Sequence, residues 1–384
     1  MGDRVDRRTG TVRVFPRRMG SLRSERALFR ILVVGLLSLH VAGCTPSPML
    51  KYGMDTPPAV LVPIRYTGIS DERARFREIY CAVQKDHGVL LPDDRPCDQA
   101  LHRLKDEPGP KGRPVHLGSA RIPMRLVTIP GLTSECVSGF IQPFTDARPH
   151  VESFGYRTEI IMVSGLAGSA HNADQIRDAV AGMPLSPDEK LVFLGYSKGA
   201  TDILEAMVRH PDLSKRTAAV VTLVGVISGT PIVDDVSEFL KQFADQWFEG
   251  SCAPGKGEAF DSLRRQERLE WLSKNSLPAS VSYFSLAAFT ERNNISLVLR
   301  SGYDKLALVD PRNDSQVVAH DSLVPGGGLL GYLNADHWAV AMPFNRVHPV
   351  WAETLVTRNA FPREVLLEAI LRFVEESLLD RKDH

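Results

Sequence analysis

The fold of this chain is decided by the stretch Leu191-Val192-Phe193-Leu194-Gly195-Tyr196-Ser197-Lys198-Gly199. Its four leading apolar residues are typical of a strand that is buried on both faces. Apolar residues at helical spacing follow it, at Ile203, Leu204, Met207 and Val208. A glycine two positions before and two positions after a serine permits the sharp strand-to-helix turn that exposes a nucleophile. The stretch therefore predicts that Ser197 is a nucleophile at the end of a sheet strand.

Short apolar runs that favour strands recur on both sides of this stretch. They are residues 126–129, 160–163, 219–224 and 281–289. An amphipathic segment precedes Leu191, with Ile176, Val180 and Met183 at helical spacing, and we interpret Asn172 as its N-cap. Buried strands that alternate with helices predict a doubly wound, mostly parallel sheet with helices on both faces.

A serine hydroxyl is a weak nucleophile, so Ser197 needs a nearby base and a group that orients the base. Five histidines follow it in the chain: His210, His320, His337, His348 and His384. His210 ends the helix after the serine, and His384 is the last residue of the sequence. His337 lies in a loop near the end of the predicted sheet, and it is therefore the best-placed base.

The orienting acid is expected between the serine and the histidine in chain order. The candidates are Asp310, Asp314, Asp321 and Asp336. We favour Asp314, because it lies on a polar turn that leads back into apolar sequence. Asp321 is the strongest rival. Asp336 is adjacent to the histidine, and we expect it to cap or solvate the loop.

Residues about 125–345 resemble the bacterial triacylglycerol-lipase branch of the α/β-hydrolase superfamily. The resemblance is carried by residues 129–134, 195–199, 228–234, 313–317, 330–331 and 336–337. It implies the α/β-hydrolase fold and an oxyanion hole formed by the backbone N–H groups of Leu132 and Lys198. Two residues depart from the family pattern: Pro130 stands where a histidine is common, and Ser315 replaces a frequent glycine.

This combination predicts a serine hydrolase that cleaves carboxylic esters of lipid-like small molecules through an acyl-enzyme. The alternatives are an acyltransferase, a thioesterase or a peptidase on the same fold, or a catalytically silent binding lipoprotein. We expect no cofactor and no metal, since the sequence shows no match to the calcium site of some lipases. With 46 basic and 46 acidic side chains, the chain has no net charge to attract nucleic acid, so no nucleic-acid partner is expected.

The N-terminal sequence predicts a lipoprotein signal peptide over residues 1–43. Arginines precede a short apolar run (residues 31–43), which is too short to span a bilayer, and the run ends in Ala42-Gly43-Cys44. This ending resembles the lipobox in which the cysteine carries the lipid, so Cys44 is the expected lipidation site. We therefore expect a lipid-anchored protein of the bacterial cell envelope, at the outer membrane, facing the periplasm or the cell surface.

The remaining chain divides into three predicted parts. Residues 44–58 are proline-rich and predict a tether, and residues 59–118 predict a helical extension. Residues 119–384 form the α/β-hydrolase domain, with a helical lid insertion at about 233–276. In that insertion five apolar residues fall on one helical face: Val236, Phe239, Leu240, Phe243 and Trp247.

Four cysteines remain beyond Cys44: Cys81, Cys97, Cys136 and Cys252. An even number in an oxidising compartment predicts two disulfides, with three possible pairings. We favour Cys81–Cys97 and Cys136–Cys252, because the first two lie in one short helical stretch. The alternative is that some of the four are free, buried thiols.

Overall fold

One mostly parallel sheet organises the chain. The computed structural model describes residues 67–132, 134, 135, 138, 141–235, 257–354 and 360–381. In these ranges the strands are β1 (Ser70–Asp71), β2 (Leu101–His102), β3 (Met124–Ile129), β4 (Arg157–Ile160), β5 (Lys190–Tyr196), β6 (Thr217–Leu223), β7 (Ser282–Ala288) and β8 (Gly328–Leu333). Their order is β1-β8-β7-β6-β5-β3-β4, and β2 pairs antiparallel with β8 while the other pairs are parallel.

Helices cover this sheet and connect its strands. The α-helices are α1 (Arg73–Asp86), α2 (Cys97–Ala100), α3 (Arg148–Glu152), α4 (Ser169–Ala181), α5 (Lys198–Arg209), α6 (Pro211–Arg216), α7 (Glu258–Asp261), α8 (Arg265–Lys274), α9 (Arg300–Ala307), α10 (Phe344–Val347), α11 (Pro349–Thr354) and α12 (Arg363–Asp380). Short 3-10 helices lie at Gly88–Leu90, Pro231–Asp235, Arg292–Asn294, Leu297–Leu299 and Ala319–Ser322.

The central strands are buried on both faces. In β5, Val192 and Leu194 join the core beneath α1 and α12, whereas Leu191 and Phe193 join the core beneath α4 and α5. Each such side chain contributes about 1.5–3 kcal/mol when it is fully buried. The predicted α/β-hydrolase fold, with a doubly wound sheet covered on both sides, is confirmed.

The strand order reverses between β3 and β5. From β3 the chain passes first to β4 on one side and then to β5 on the other. In open α/β sheets, ligands bind in the crevice that such a reversal leaves at the carboxyl ends of the strands. Ile129 at the end of β3 is paired with Gly195 in β5. This register brings the loop after β3 against the turn that holds Ser197.

The second predicted strand is displaced. The sequence predicts a strand over residues 160–163, but the structure has β4 at Arg157–Ile160. Among the described residues this strand pairs only with β3 and lies at the edge of the sheet, where polar side chains such as Glu159 can reach solvent. Strand β4 is therefore formed mostly by polar residues, and the apolar run of residues 160–163 begins only at the last residue of the strand, Ile160.

One helical prediction also needs correction. Asn172 is not the N-cap of α4, because the helix begins at Ser169 after Gly168, and Asn172 lies buried within it. Glycine thus precedes α4, where the sequence suggested a polar side chain. In the predicted insertion at about 233–276, the described residues include α7 and α8, which are separated by residues 262–264.

Residues 67–102 join the same sheet. β1 and β2 both pair with β8, and α1 packs against α12. The predicted disulfide between Cys81 and Cys97 is confirmed, and it ties α1 to α2. Among the described residues, no helix is both long and apolar enough to cross a membrane.

Several predicted features lie outside the described residues. They are the signal peptide with Cys44, the tether, the cysteines Cys136 and Cys252, and the apolar face of the lid insertion between residues 236 and 247.

Candidate active site

Ser197 lies on a sharp turn, which we call the elbow (residues 195–199), between β5 and α5. Its backbone has φ 56° and ψ −123°, a region that residues other than glycine rarely adopt. A Cβ at position 195 would lie 2.4 Å from Ala200 Cα, and one at position 199 would lie 2.1 Å from the Ile129 carbonyl oxygen. Both glycines are therefore required by close packing, as predicted from the sequence.

The structure brings Ser197, His337 and Asp314 together. Ser197 Oγ lies 2.8 Å from His337 Nε2, and His337 Nδ1 lies 2.7 Å from Asp314 Oδ2. His337 and Asp314 are both buried. Removal from water strengthens the electrostatic interactions within such a chain of contacts. The arrangement can transfer a proton from the serine hydroxyl to the imidazole.

The Asp314 carboxylate is held on both of its oxygens. Oδ1 accepts the backbone N–H groups of Gln316 and Val317, while Oδ2 faces the histidine. The turn depends on Ser315, whose φ of 87° is a left-handed conformation that favours glycine. This conformation explains why a glycine is frequent at that position in the family.

His337 is fixed from a second side by Tyr196. The Tyr196 hydroxyl donates a hydrogen bond to the His337 carbonyl oxygen at 3.0 Å. Burial raises the pKa of Tyr196 well above its usual value, with the nearby Asp314 and Asp336 adding to the effect. The hydroxyl therefore remains a donor, and it links the elbow to the histidine loop.

The other three candidate acids have partners of their own. Asp310 pairs with Arg312 at 2.6 Å, and Asp321 pairs with Arg265. Burial raises the pKa of Asp321, and the Arg265 guanidinium opposes this shift. None of these contacts involves the base, so Asp310 and Asp321 are not placed to orient it.

Asp336 caps the histidine loop, as expected from its position. Its Oδ1 accepts the backbone N–H groups of Trp338 and Ala339, and its Oδ2 accepts from the Ser296 backbone and hydroxyl. Of the two roles expected for it, capping rather than solvating the loop is the one observed, because the side chain is fully buried. Burial raises its pKa, and these hydrogen bonds counteract the rise.

The two residues predicted to form the oxyanion hole, Leu132 and Lys198, belong to segments that lie beside the nucleophile. Lys198 is the first residue of α5, so its backbone N–H belongs to the unpaired donors of the helix N-terminus. Leu132 follows Gly131, and a Cβ on Gly131 would lie 2.8 Å from Ser197 Cβ. The loop after β3 thus approaches the serine closely, and a side chain at position 131 would fill that space.

The similarity to known structures agrees with this geometry. No protein-family model and no curated protein matches the sequence. Among solved structures, the metagenomic carboxyl esterase MGS0156 aligns with a TM-score of 0.81 at 50% identity, over 84% of this chain and 97% of that chain. This chain belongs to the α/β-hydrolase family of carboxyl esterases. The esterase therefore hydrolyses carboxylic esters on this fold.

Two more distant structures are also similar to the esterase. The lipase BlEst2 of Bacillus licheniformis is 20% identical, covering 63% of this chain and 95% of that one, with a TM-score of 0.49. The RedJ thioesterase of the prodiginine pathway of Streptomyces coelicolor is 16% identical, covering 70% of this chain and 97% of that one, with a TM-score of 0.38.

One buried ion pair of the esterase was missed by the sequence reasoning. Lys198 Nζ lies 2.7 Å from Asp202 Oδ1, and both side chains are 1% exposed. Asn172 donates a further hydrogen bond to Asp202 Oδ2 at 2.8 Å. The spacing of four residues on a helix is a sequence signal for such a pair. The buried charged network thus includes Lys198, the residue that directly follows the nucleophile Ser197.

Proposed function

We propose that the esterase cleaves its substrate through a covalent acyl-enzyme on Ser197, with His337 as general base and Asp314 as the orienting acid. The observation that carries this proposal is the continuous chain of contacts from Ser197 Oγ through the imidazole to the carboxylate, at 2.8 Å and 2.7 Å. Contacts of this length join a nucleophile, a base and an orienting group in serine hydrolases.

In the first half-reaction, Ser197 Oγ forms a bond to the ester carbonyl carbon while its proton passes to His337 Nε2. The carbonyl oxygen becomes an oxyanion, which the backbone N–H groups of Leu132 and Lys198 would stabilise. A donor of this kind contributes about 2.7–4 kcal/mol to the transition state. Collapse of the intermediate breaks the ester C–O bond, and the imidazolium returns its proton to the departing alcohol.

In the second half-reaction, a water molecule gives its proton to His337 and attacks the acyl carbon. The imidazolium then protonates Ser197 Oγ as the acyl bond breaks, so the free enzyme and a carboxylic acid result. Asp314 stays ionised throughout and holds the Nδ1 proton of the ring. Its contacts with two backbone N–H groups support this role, because they hold the carboxylate in place.

The test is ester hydrolysis by matched serine variants. We expect Ser197→Ala to lose hydrolysis of p-nitrophenyl esters while it keeps the thermal stability of the wild type. Ser186→Ala is the control, because Ser186 is exposed and lies in the loop before β5. Turnover by Ser197→Ala at the rate of Ser186→Ala would overturn the proposed nucleophile.

We also infer that the esterase acts at a membrane to which Cys44 anchors it, at the outer membrane of a bacterial cell envelope. The support is the signal-like run that ends in Ala42-Gly43-Cys44. Two or more acyl chains on one residue give stable membrane binding. Cys44→Ser should move the protein from the membrane fraction to the soluble fraction. An unchanged membrane fraction would contradict the anchor.

A further inference from the structure

Three side chains from separate helices meet on one side of the sheet, away from the residues proposed for catalysis. Among the described residues, the ligand atoms of His87, His150 and Glu368 form a set within 4.8 Å of one another. His87 Nδ1 lies 2.9 Å and 3.0 Å from the two Glu368 oxygens, and His150 Nε2 lies 2.6 Å from Oε2. They come from the end of α1, from α3 and from α12.

The carboxylate of this cluster is held in place. Arg372 Nε donates to Glu368 Oε1 at 2.6 Å, and the other guanidinium nitrogens of Arg372 donate to the carbonyl oxygens of His116, Leu117 and Gly118. Arg372 is thus held in place by the loop of residues 116–118. Its contact uses Oε1, which His87 Nδ1 also approaches, while Oε2 faces both imidazoles.

The His87 ring lies between two carboxylates, those of Asp86 and Glu368. Its Nε2 lies 3.2 Å from Asp86 Oδ2, and the ring is stacked on Phe154 with centroids 4.8 Å apart. A carboxylate that accepts the second ring N–H fixes the tautomer and leaves the other nitrogen as a lone-pair donor. With the proton on Nε2, beside Asp86, His87 Nδ1 can exchange its contact with Glu368 for a cation.

We propose that His87, His150 and Glu368 bind a zinc ion. Two imidazole nitrogens and one carboxylate oxygen are a ligand set that suits zinc, and a water molecule would complete the tetrahedron. Zinc–ligand bonds of about 2.0–2.2 Å place tetrahedral ligands about 3.3–3.6 Å apart. From their present separations of 2.6 Å for His150 and 2.9–3.0 Å for His87, the contacts with Glu368 need to lengthen by about 0.7–1.0 Å and about 0.3–0.7 Å. The negative charges of Glu368 and Asp86 would offset the positive charge of the zinc ion, which would lie near the positively charged Arg372.

Such an ion would join three helices. Because the ligands lie directly after α1, on α3 and on α12, the site assembles only in the folded protein, and zinc would therefore stabilise the folded state.

The experiment is a titration of the metal-free, tag-free esterase with zinc chloride. Calorimetry measures the binding of zinc, and thermal unfolding measures its effect on Tm. We expect one zinc ion per chain and a rise in Tm, with no response to magnesium. His150→Ala should weaken zinc binding by about 100-fold or more, and Asp86→Asn by about 10-fold, through loss of the outer carboxylate. His171→Ala is the control for surface binding, since His171 is exposed and lies on α4.

Asp86→Asn also guards against a folding artefact, because the Asp86 side chain is 63% exposed. Zinc binding by the wild type that His150→Ala and Asp86→Asn leave unchanged would overturn the site, as would a wild type that binds no zinc. The readout is metal binding, so it is independent of the proposed acyl-enzyme. Loss of hydrolysis in Ser197→Ala would neither support nor contradict the zinc site.

Discussion

His337 is bound to Asp314 twice. Its Nδ1 lies 2.7 Å from the Asp314 carboxylate, and its backbone N–H donates to the Asp314 carbonyl oxygen at 2.9 Å. The second contact joins the two loops through the main chain, independently of the side chains. We therefore expect the imidazole to keep its position when the carboxylate is altered, so that the chemical effect of the change can be measured on its own.

We expect Asp314→Asn to lower kcat by about 10⁴-fold, the loss that follows replacement of the orienting carboxylate by an amide in a serine protease. The amide oxygen can still accept from Gln316 and Val317, so the variant should fold. Steady-state kinetics with a p-nitrophenyl ester and circular dichroism check both parts.

Asp321→Asn is the matched comparison, and its effect should fall on stability. It removes the buried carboxylate that pairs with Arg265, which should lower the free energy of unfolding by about 3 kcal/mol. The turnover of the folded enzyme should remain near that of the wild type. If urea titration and kinetics gave the opposite ranking for the two variants, Asp321 would be the orienting acid.

Gly199→Ala should damage the elbow. The added Cβ would meet the Ile129 and Pro130 carbonyl oxygens at 2.1 Å and 2.5 Å, so either β3 or the elbow must shift. We expect a loss of about 1–3 kcal/mol in stability, typical of overpacking, together with lower kcat. Gly182→Ala is the control, since its Cβ would have no neighbour closer than 3.7 Å. Equal stability of the two variants would be inconsistent with the close approach at the elbow.

The buried pair of Lys198 and Asp202 should behave as a unit. Asp202→Asn alone leaves the buried ammonium group of Lys198 without its carboxylate, which should cost about 3–5 kcal/mol. In the double variant Lys198→Met/Asp202→Asn the uncompensated charge is gone, so most of that loss should be regained. A double-mutant cycle by chemical denaturation measures the coupling, and strictly additive losses would argue against it.

Reduction of the Cys81–Cys97 disulfide should destabilise the protein. The bridge joins two residues that are 16 positions apart in the sequence. Closing a loop of this length lowers the entropy of the unfolded chain, which stabilises the folded state by about 3 kcal/mol. Dithiothreitol should therefore lower the Tm of the wild type but leave that of Cys81→Ser/Cys97→Ser unchanged. A comparable fall in the double variant would assign the effect to other cysteines.

The features that sequence predicted well are local ones. The elbow was visible because a buried strand, two glycines and a helix follow one another, and the Cys81–Cys97 pair was visible because its members are close in the chain. Asp314 and His337 were chosen by chain order and by their turns. The structure adds the contact between them, which no local pattern contains.

The features that sequence missed depend on neighbours in space. β4 was displaced because an edge strand needs no apolar residues on its open side. Lys198 and Asp202 have helical spacing, but charged residues of this kind are usually exposed, and only the packing of α4 against α5 buries them. Glu368 meets His87 and His150 although more than two hundred residues of sequence separate it from either histidine.

The most direct test of the proposed mechanism is reaction of the purified esterase with a fluorophosphonate, followed by intact-mass and peptide mass spectrometry. This reagent forms a stable bond with a serine that an adjacent base activates. We expect one adduct per chain, located on Ser197, with loss of ester hydrolysis in proportion to labelling. An adduct on another serine, or hydrolysis that persists when Ser197 is fully labelled, would contradict the proposal.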